Sequence, residues 1–478
     1  MSALWTADDL VAAIDGRPVG TLPHEITGIS IDSRTLKPGE AFFAIRGEAM
    51  DGHDFASAAM KAGAGALVVA EGKLPALGRL AVPMIVVPDV LSALEKAGVA
   101  ARARSRARIV AVTGSVGKTS TKEALRHVLS RQGSVHASDK SFNNHWGVPL
   151  TLARLPADCD FAVFEIGMNH PGEIRPLVKM VRPHVALVTM IAAAHLGHFS
   201  GLDAIAEAKA EIFEGLEPEG AALLNRDDSR FNLLSKLAKR AGVKRIESFG
   251  ESESAACRLL DVALTPESSA IVARIGGRDV SATINVPGRH MVQNALAVLG
   301  AASLLGADPA KAAAALATLA AESGRGQRHV LQLAGGGTFR LIDESYNANP
   351  ASMRAALELL AGAPLGAGGR RIAVLGDMLE LGTHARKLHA ALADLVRAAG
   401  VDVVLLAGPE MKALSDALGT SLATEYRENV EQLKPVLLET IRPGDTVMVK
   451  SSKGIGFSKL VDLLLKQFSQ PVAEQKRA

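Results

Sequence analysis

The segment 109–120 constrains the fold more than any other part of the sequence. It reads Ile-Val-Ala-Val-Thr-Gly-Ser-Val-Gly-Lys-Thr-Ser. The apolar run 109–112 predicts a buried strand, and a helix is predicted over 121–129. The glycine-rich turn between them ends in Gly117-Lys118-Thr119. Such a turn points backbone N–H groups and a helix N-terminus at phosphate oxygens, so we interpret it as a phosphate-binding loop.

The loop residues indicate how a nucleotide would bind. Lys118 can reach the β- and γ-phosphates, and the Thr119 hydroxyl can bind Mg²⁺. The match to G-x-x-x-x-G-K-[ST] is imperfect, because its first glycine falls on Val112 and Gly114 supplies the flexible position instead. The alternative is an ordinary strand–turn–helix unit with chance glycines. The strand-to-helix context favours ATP binding, through Gly114, Ser115, Val116, Gly117, Lys118, Thr119 and Ser120. The loop alone does not say what the ATP is used for.

Length and composition indicate an α/β protein of more than one domain. The chain has 478 residues, and single domains usually have roughly 100–200. We expect no membrane span and no signal peptide, because the sequence lacks a run of about 18 apolar residues and a basic-then-apolar start. Two cysteines give no disulfide or metal pattern, so the cytoplasm is the expected compartment. A net charge of +3 is too small to indicate nucleic-acid binding.

Four arginines at alternate positions, Arg102, Arg104, Arg106 and Arg108, precede the phosphate loop. They could form a basic patch. We favour the simpler interpretation, in which they are the solvated end of a helix and the linker that follows.

Residues 1–107 alternate short strands and helices, so we expect a separate module before the ATP-binding core. Thr6 is a predicted N-cap for a first helix. Polar clusters follow two predicted strands: one contains Ser33 and Arg34, and the other contains Arg46, Gly47 and His53. Either cluster could bind a ligand, and turn chemistry alone could also explain both.

The stretch after the phosphate loop contains three further candidates for ligand contact. The amides of Asn143 and Asn144 suit a sugar or peptide ligand, but they also suit a turn. Residues 161–165 predict a buried strand that ends in Glu165, the arrangement in which P-loop enzymes hold Mg²⁺. A solvated strand-end glutamate is the alternative. His195 follows the predicted strand 185–191, where α/β sheets bind ligands, and it could be a metal ligand or structural.

Lys209 lies on the apolar side of a helix predicted over 203–213, four residues from both Ile205 and Phe213, whereas Glu207 and Glu211 point elsewhere. Desolvation lowers the pKa of a buried lysine and makes its amine nucleophilic. Such an amine can capture CO₂ and become a carbamate, which is an anionic oxygen ligand. The residues alone favour the alternative, a lysine whose ammonium group reaches water.

The C-terminal part has a doubly wound pattern. Strands are predicted at 338–342, 371–375, 401–406 and 446–450, with helices between them. Polar residues cluster after these strands, at 343–350, 376–377 and 450–454. Upstream, Arg325 lies between glycines at the expected domain boundary, where a flexible arginine can swing onto phosphate when domains close.

Several long motifs together resemble the Mur ligases, ATP-dependent amide-bond enzymes of peptidoglycan synthesis. The motifs are Thr113 to Glu123, Asn143 to Thr151, Glu165 to Ile174, the Ala-Lys-Ala-Glu-Ile around Lys209, Tyr346 to Met353 and Val374 to Gly382. The resemblance implies an α/β, three-domain architecture. Residues 1–107 would bind a uridine nucleotide, 108–324 would be a P-loop ATP-binding domain, and 325–478 would be a Rossmann-like domain that closes on ATP and binds the incoming amine.

The resemblance also implies roles for individual residues. Lys209 becomes a carbamylated lysine that, with Thr119, Glu165 and His195, holds Mg²⁺. Lys118, Glu165, His195 and Lys209 would serve catalysis. Contacts with ATP are implied for Asn294, Arg325, Asp343, Tyr346 and Asn347. Contacts with substrate are expected for Ser33, Arg34, Arg46, Gly47, His53, Asn143, Asn144 and Asp377.

The substrates implied by the resemblance are UDP-N-acetylmuramoyl-tripeptide and D-alanyl-D-alanine, and we expect a monomer. The family's ligase for diaminopimelate carries an Asp-Asn-Pro-Arg motif, which this sequence lacks. Two departures from the family pattern stand out. Val116 occupies a loop position that is often small or polar, and Ser451-Ser-Lys453 stands where relatives often carry a glycine and an arginine.

Overall fold

The computed structural model describes residues 3–77, 82–139, 142–194 and 196–468 of the chain. His195, an expected metal ligand, lies outside the described residues. No helix in these ranges is long and apolar enough to cross a membrane. Three large sheets, with five, nine and six strands, follow one another along the chain, and the helices lie between or after their strands in sequence.

The first module contains a five-stranded sheet and a two-stranded one. The large sheet has the order β2-β7-β6-β5-β4 and is parallel except for β2, and β1 pairs with β3. The strands of the two sheets together are β1 (Trp5–Thr6), β2 (Arg17–Val19), β3 (Glu25–Ile26), β4 (Gly28–Ser30), β5 (Glu40–Phe43), β6 (Ala66–Ala70) and β7 (Met84–Val87). The helices of this module are α1 (Ala7–Ala13), α2 (Ala56–Lys61), α3 (Leu74–Leu77) and α4 (Val90–Arg104). The predicted cap of α1 is confirmed, because the Thr6 side chain accepts a hydrogen bond from the Asp9 N–H.

The central sheet has nine strands in the order β16-β15-β14-β13-β12-β11-β8-β10-β9. Its strands are β8 (Arg108–Thr113), β9 (Val135–Ala137), β10 (Phe161–Glu165), β11 (Val185–Val188), β12 (Ala221–Asn225), β13 (Arg245–Gly250), β14 (Cys257–Leu264), β15 (Ser269–Ile275) and β16 (Arg278–Ile284). Its helices are α5 (Lys118–Leu129), α6 (Gly147–Ala153), α7 (Ile174–Val181), α8 (Leu202–Ala210), α9 (Phe231–Arg240), α10 (Arg289–Leu304) and α11 (Pro309–Leu316). The pairs from β9 to β14 are parallel, and β14, β15 and β16 form an antiparallel extension.

The order of the central strands determines which loops meet. β8 lies between β10 and β11, and all three run in the same direction. The carboxyl ends of parallel neighbours lie at one edge of a sheet, where α/β proteins bind ligands. The phosphate loop after β8 therefore has the end of β10 on one side and the end of β11 on the other.

The third sheet has six strands in the order β17-β18-β22-β19-β20-β21, and only β17 is antiparallel. Its strands are β17 (Gln327–Gln332), β18 (Thr338–Glu344), β19 (Arg371–Gly376), β20 (Val403–Ala407), β21 (Ala423–Arg427) and β22 (Thr446–Lys450). Its helices are α12 (Pro350–Gly362), α13 (Ala385–Ala390), α14 (Leu392–Ala398), α15 (Lys412–Leu418), α16 (Val430–Thr440) and α17 (Ser458–Gln467). The expected α/β class is confirmed, whereas the domain boundaries after residues 107 and 324 stay a prediction.

The solvated interpretation of the arginine cluster is wrong for two of its four members. Arg102 is 5% exposed and donates hydrogen bonds to the carbonyls of Val181 and Arg182 and to the Glu217 carboxylate. The half-buried Arg104 stacks on Trp5. These side chains join helix α4 to neighbouring elements, whereas Arg106 and Arg108 are exposed as expected.

Replacing Arg102 with alanine is expected to lower the free energy of unfolding by about 3 kcal/mol, because two carbonyls and a carboxylate lose their buried donor. Urea unfolding followed by tryptophan fluorescence measures this loss. Arg106→Ala is the matched control, since that exposed side chain should be replaced at a cost of less than about 0.5 kcal/mol. Equal losses in the two variants would contradict the structural role of Arg102.

Candidate active site

The phosphate loop has the backbone that its glycines predict. Gly114 has φ of +151° and Gly117 has φ of +86°, and Gly117 precedes the first residue of helix α5. The helix begins at Lys118, three residues earlier than the sequence predicts, because Gly117 adopts the left-handed conformation. Lys118 folds back over the loop, with Nζ 2.8 Å from the Gly114 carbonyl oxygen. The ammonium group and the start of the helix therefore face the same space.

The loop is attached to the residues that follow β11. The Ser115 N–H donates to the Met190 carbonyl at 2.7 Å, and the Thr189 hydroxyl donates to the Val116 carbonyl at 2.6 Å. The N–H groups of Gly117 and Lys118 have no acceptor within the ranges that the structure describes. Free N–H groups at a helix N-terminus are the usual donors to phosphate.

Glu165, at the end of β10, is 1% exposed. Its Oε1 accepts a hydrogen bond from Asn143 Nδ2 at 2.7 Å. Its Oε2 is buried and has no hydrogen-bond partner among the described residues. A buried carboxylate oxygen without a donor is costly, and a cation would satisfy it. The carboxylate therefore fits Mg²⁺, which prefers oxygen ligands.

Lys209, in helix α8, is 1% exposed, so its ammonium group does not reach water. Burial first, and the charge of Lys118 second, hold the pKa of Lys209 well below its usual range. Burial also lowers the pKa of Lys118, with the Glu165 carboxylate opposing that shift. Glu211, expected to point away from the core, is instead buried and accepts hydrogen bonds from the N–H groups of Gly172 and Arg175.

Arg325 extends from the expected domain boundary onto the phosphate loop. Its Nη2 donates to Thr119 Oγ1 at 3.0 Å, and its guanidinium carbon lies 4.0 Å from the centroid of the Tyr346 ring. Asp343 fixes the segment around Arg325, because its carboxylate accepts hydrogen bonds from the Gly324 N–H and from Ser345. The structure therefore brings Thr119, Arg325, Asp343 and Tyr346 together, and their contacts with ATP stay a prediction.

Two other residues expected to contact ATP are near this group. Asn294, in helix α10, lies against the phosphate loop, because a Cβ on Gly117 would be 2.7 Å from Asn294 Oδ1. Asn347 is exposed, and its carbonyl accepts a hydrogen bond from Lys450 Nζ at 3.0 Å. Their contacts with a nucleotide stay a prediction.

Three expected substrate residues use their side chains to hold the protein backbone. Asn144 Oδ1 accepts from the N–H groups of Trp146 and Gly147 at the start of helix α6. His53 Nδ1 is 2.6 Å from Asp51 Oδ1, and its Nε2 accepts from the Ala70 N–H. Asp377 accepts from the N–H groups of Glu410 and Met411. These bonds favour the turn interpretation for Asn144 and His53, and the Asp377 carboxylate also holds a loop backbone.

The remaining substrate candidates lie in the first module. Arg34 is exposed and forms a two-bond ion pair with Asp32, while Ser33 is half-buried. Arg46 is exposed, and Gly47 packs against Trp146, whose ring would be 2.8 Å from a Cβ at that position. Gly47 thus connects this module to the loop that carries Asn143. These four contacts with substrate stay a prediction.

Sequence reasoning missed several residues that shape the site. Thr189 was included in a predicted strand, but β11 ends at Val188 and the Thr189 side chain bonds to the phosphate loop. Lys122, one turn after Lys118, is fully buried and donates to the Ser138 carbonyl at 2.9 Å. Thr189 and Lys122 share one signal in the sequence, a polar residue inside an apolar strand or on an apolar helix face. No group of three His, Cys, Asp or Glu side chains in the described ranges could hold a metal ion.

Three family models match the chain. The Mur ligase middle domain matches residues 112–302, the Mur ligase glutamate ligase domain matches 324–453, and the Mur ligase family catalytic domain matches 25–104. They cover most of the central sheet, all six strands of the third sheet and most of the first module.

Curated relatives and solved structures match over nearly the whole length. The chain is 34% identical to the UDP-N-acetylmuramoyl-tripeptide–D-alanyl-D-alanine ligase of Rickettsia prowazekii, over 91% of this chain and 94% of the relative. The Escherichia coli ligase of the same name is 36% identical over 92% and 94%. The crystal structure of MurF from Acinetobacter baumannii superposes with a TM-score of 0.83 at 30% identity, over 97% of this chain and 99% of that one.

Replacing Gly114 with alanine is expected to weaken ADP binding by about tenfold or more. The new Cβ would lie 1.9 Å from Thr189 Oγ1, at a φ that strains any side chain. Isothermal titration calorimetry measures the affinity. Gly201→Ala is the matched control, because its φ of +159° is similar and no atom lies within 4 Å of its Cβ position. Equal binding by the two variants would show that the contact at 114 does not matter.

Proposed function

The chain belongs to the Mur ligase family, and on that premise we propose that it joins D-alanyl-D-alanine to UDP-N-acetylmuramoyl-tripeptide at the expense of ATP. Two relatives with this activity in their names are 34% and 36% identical to it over more than nine-tenths of its length. The product, UDP-N-acetylmuramoyl-pentapeptide, is a peptidoglycan precursor. We further propose that the enzyme is a cytoplasmic monomer.

A carboxylate is a poor electrophile, so the reaction needs an activated acyl group. An oxygen of the terminal tripeptide carboxylate attacks the γ-phosphorus of ATP, the bond from that phosphorus to the β–γ bridging oxygen breaks, and ADP leaves. The acyl phosphate then reacts with the free amine of D-alanyl-D-alanine. The new C–N bond forms, the amine loses a proton, and phosphate leaves with the electrons of the C–O bond.

The residues of the phosphate loop stabilise the charge on the transferring group. The free N–H groups of Gly117 and Lys118 can donate to phosphate oxygens, and the Lys118 ammonium group offsets their negative charge. Arg325 approaches the same space from the other side, through its contact with Thr119. Because these donors are already positioned, little reorganisation is needed during phosphoryl transfer.

One observation carries the proposal for the metal: Glu165 Oε2 is buried at this sheet edge without a partner among the described residues. We assign Mg²⁺ to Glu165, to the Thr119 hydroxyl, and to His195 and Lys209. When bound, the ion would neutralise part of the charge on the phosphates. Asn143 would keep Glu165 Oε1 engaged and so orient Oε2.

Lys209 suits Mg²⁺ as a ligand only after modification, because an ammonium group has no lone pair and Mg²⁺ prefers oxygen ligands to an amine nitrogen. Its lowered pKa favours the neutral amine, whose nitrogen attacks the carbon of CO₂. The N–C bond forms, one C–O π bond becomes a lone pair, and a proton leaves the nitrogen. The resulting carbamate is an anion, and the positive charge of Lys118 nearby would stabilise it.

The UDP end of the first substrate would contact loops of the first module. We propose that the loops with Ser33, Arg34, Arg46 and Gly47 bind the UDP part, where two exposed guanidinium groups suit a diphosphate. His53, Asn144 and Asp377 would contribute by holding loop shape, since their polar atoms already bind backbone N–H groups. The backbone they fix would then be what meets the substrate.

Phosphate release from ATP is expected only when UDP-N-acetylmuramoyl-tripeptide and D-alanyl-D-alanine are both present. A coupled phosphate assay with each substrate omitted in turn measures this dependence, and mass spectrometry of the nucleotide product identifies the bond formed. An ATP-driven motor would release phosphate without the dipeptide. The ligase for the preceding amino acid would instead use the dipeptide nucleotide with a free amino acid. Either result would overturn the assignment.

Lys209→Ala is expected to lose most ligase activity, and addition of a short carboxylic acid such as acetate is expected to restore part of it. The acid can supply the anionic oxygens that the carbamate provided. Lys118→Ala is the control, because it removes a cation that acetate cannot replace. Full activity of Lys209→Ala without added acid would defeat the carbamate proposal.

A further inference from the structure

Thr189 contacts the phosphate loop from the end of the neighbouring strand. Its side chain is buried, and its hydroxyl lies 2.6 Å from the Val116 carbonyl oxygen and 3.3 Å from that of Thr113. A hydroxyl has one proton, so the shorter contact is the hydrogen bond. The bond joins residues 73 positions apart in the chain.

This bond determines the direction of one peptide group. In a trans peptide the C=O of one residue and the N–H of the next point in opposite directions. The Val116 carbonyl points at Thr189, so the Gly117 N–H points away from it, into the space that Lys118 faces. That N–H has no acceptor in the part of the chain that the structure describes. A rotation of this peptide would instead present a carbonyl to a phosphate, which repels it.

Two further contacts make the position of Thr189 well defined. Its backbone N–H donates to the Thr113 carbonyl at 2.9 Å, and its carbonyl accepts from Asn225 Nδ2 at 3.2 Å. The hydroxyl also occupies the place that a side chain on residue 114 would take, 1.9 Å from a Cβ there. Thr189 therefore fits against a loop with glycine at this position.

We propose that Thr189 is a positioning residue for the nucleotide: its hydroxyl sets the Val116–Gly117 peptide so that the Gly117 N–H binds a phosphate of ATP. The inference rests on the proposed ATP-dependent function and adds a residue to it. Thr189 touches no reacting atom. It acts on nucleotide affinity and on the rate of phosphoryl transfer through the loop backbone, and it leaves the site for the dipeptide unchanged.

The test compares Thr189→Val, which keeps the shape and removes the hydroxyl, with Thr189→Ser, which keeps the hydroxyl. Thr189→Val is expected to raise the Kd for ADP and the KM for ATP by about tenfold, while the KM for D-alanyl-D-alanine stays within about twofold. Thr189→Ser is expected to remain within about threefold of the parent protein on all three. Thr189→Ala gives a second hydroxyl-free variant without the bulk of valine.

Thr446→Val is the matched control. Thr446 is fully buried, and its hydroxyl donates to the Pro364 carbonyl at 2.8 Å, at the start of β22 in another sheet. Its replacement should lower the thermal midpoint as Thr189→Val does, with no change in ADP binding. Unchanged ADP binding by Thr189→Val, equal weakening by Thr446→Val, or failure of Thr189→Ser to restore binding would each overturn the inference. Absence of ADP binding in the parent protein would instead overturn the proposed function.

Discussion

Buried charge at one edge of the central sheet is the constraint on which the site depends. Glu165 and Lys209 are each 1% exposed. Burial first and the charge of Lys118 second lower the pKa of Lys209, and burial lowers the pKa of Lys118 against the opposing effect of the Glu165 carboxylate. Burying unpaired charge costs free energy that hydrophobic packing elsewhere must offset. A nucleotide, a cation and a carbamate would each reduce that cost. Ligand binding at this edge would therefore offset a cost that folding imposes.

The third sheet contributes to this edge through few contacts. Arg325 reaches Thr119, and the Gly197 N–H donates to the Glu380 carbonyl at 2.9 Å. Glu380 has φ of +64°, an uncommon conformation for a residue with a side chain, and Gly382 packs closely against Gly197. Small polar contacts of this kind can be broken and remade, as domain closure around a substrate requires. The contacts of Arg325 with Thr119 and of Gly197 with Glu380 therefore join the C-terminal part of the chain to this edge.

The parts of the fold that could be predicted are those that depend on local sequence. Strands β10 and β22 are where the apolar runs put them, because parallel strands buried on both faces are continuously apolar. The antiparallel β14, β15 and β16 were missed, since their exposed faces interrupt such runs. Arg102 was misjudged because its partners, Val181 and Glu217, are far away in the chain. Long-range partners cannot be identified from residue type alone.

The same difference separates the site residues that sequence reasoning treated alike. Glu165, Asp343 and Asp377 are all buried acids at or near the carboxyl end of a strand, so the pattern predicts a ligand equally for each of them. Their hydrogen bonds distinguish them: Asp343 and Asp377 accept from N–H groups with both carboxylate oxygens, whereas Glu165 keeps one oxygen without a donor among the described residues. Acids whose oxygens are satisfied shape loops, and an acid with an unsatisfied oxygen is available to a cation. The state of each oxygen, rather than residue type or position, therefore distinguishes Glu165 as the acid that we propose for the cation.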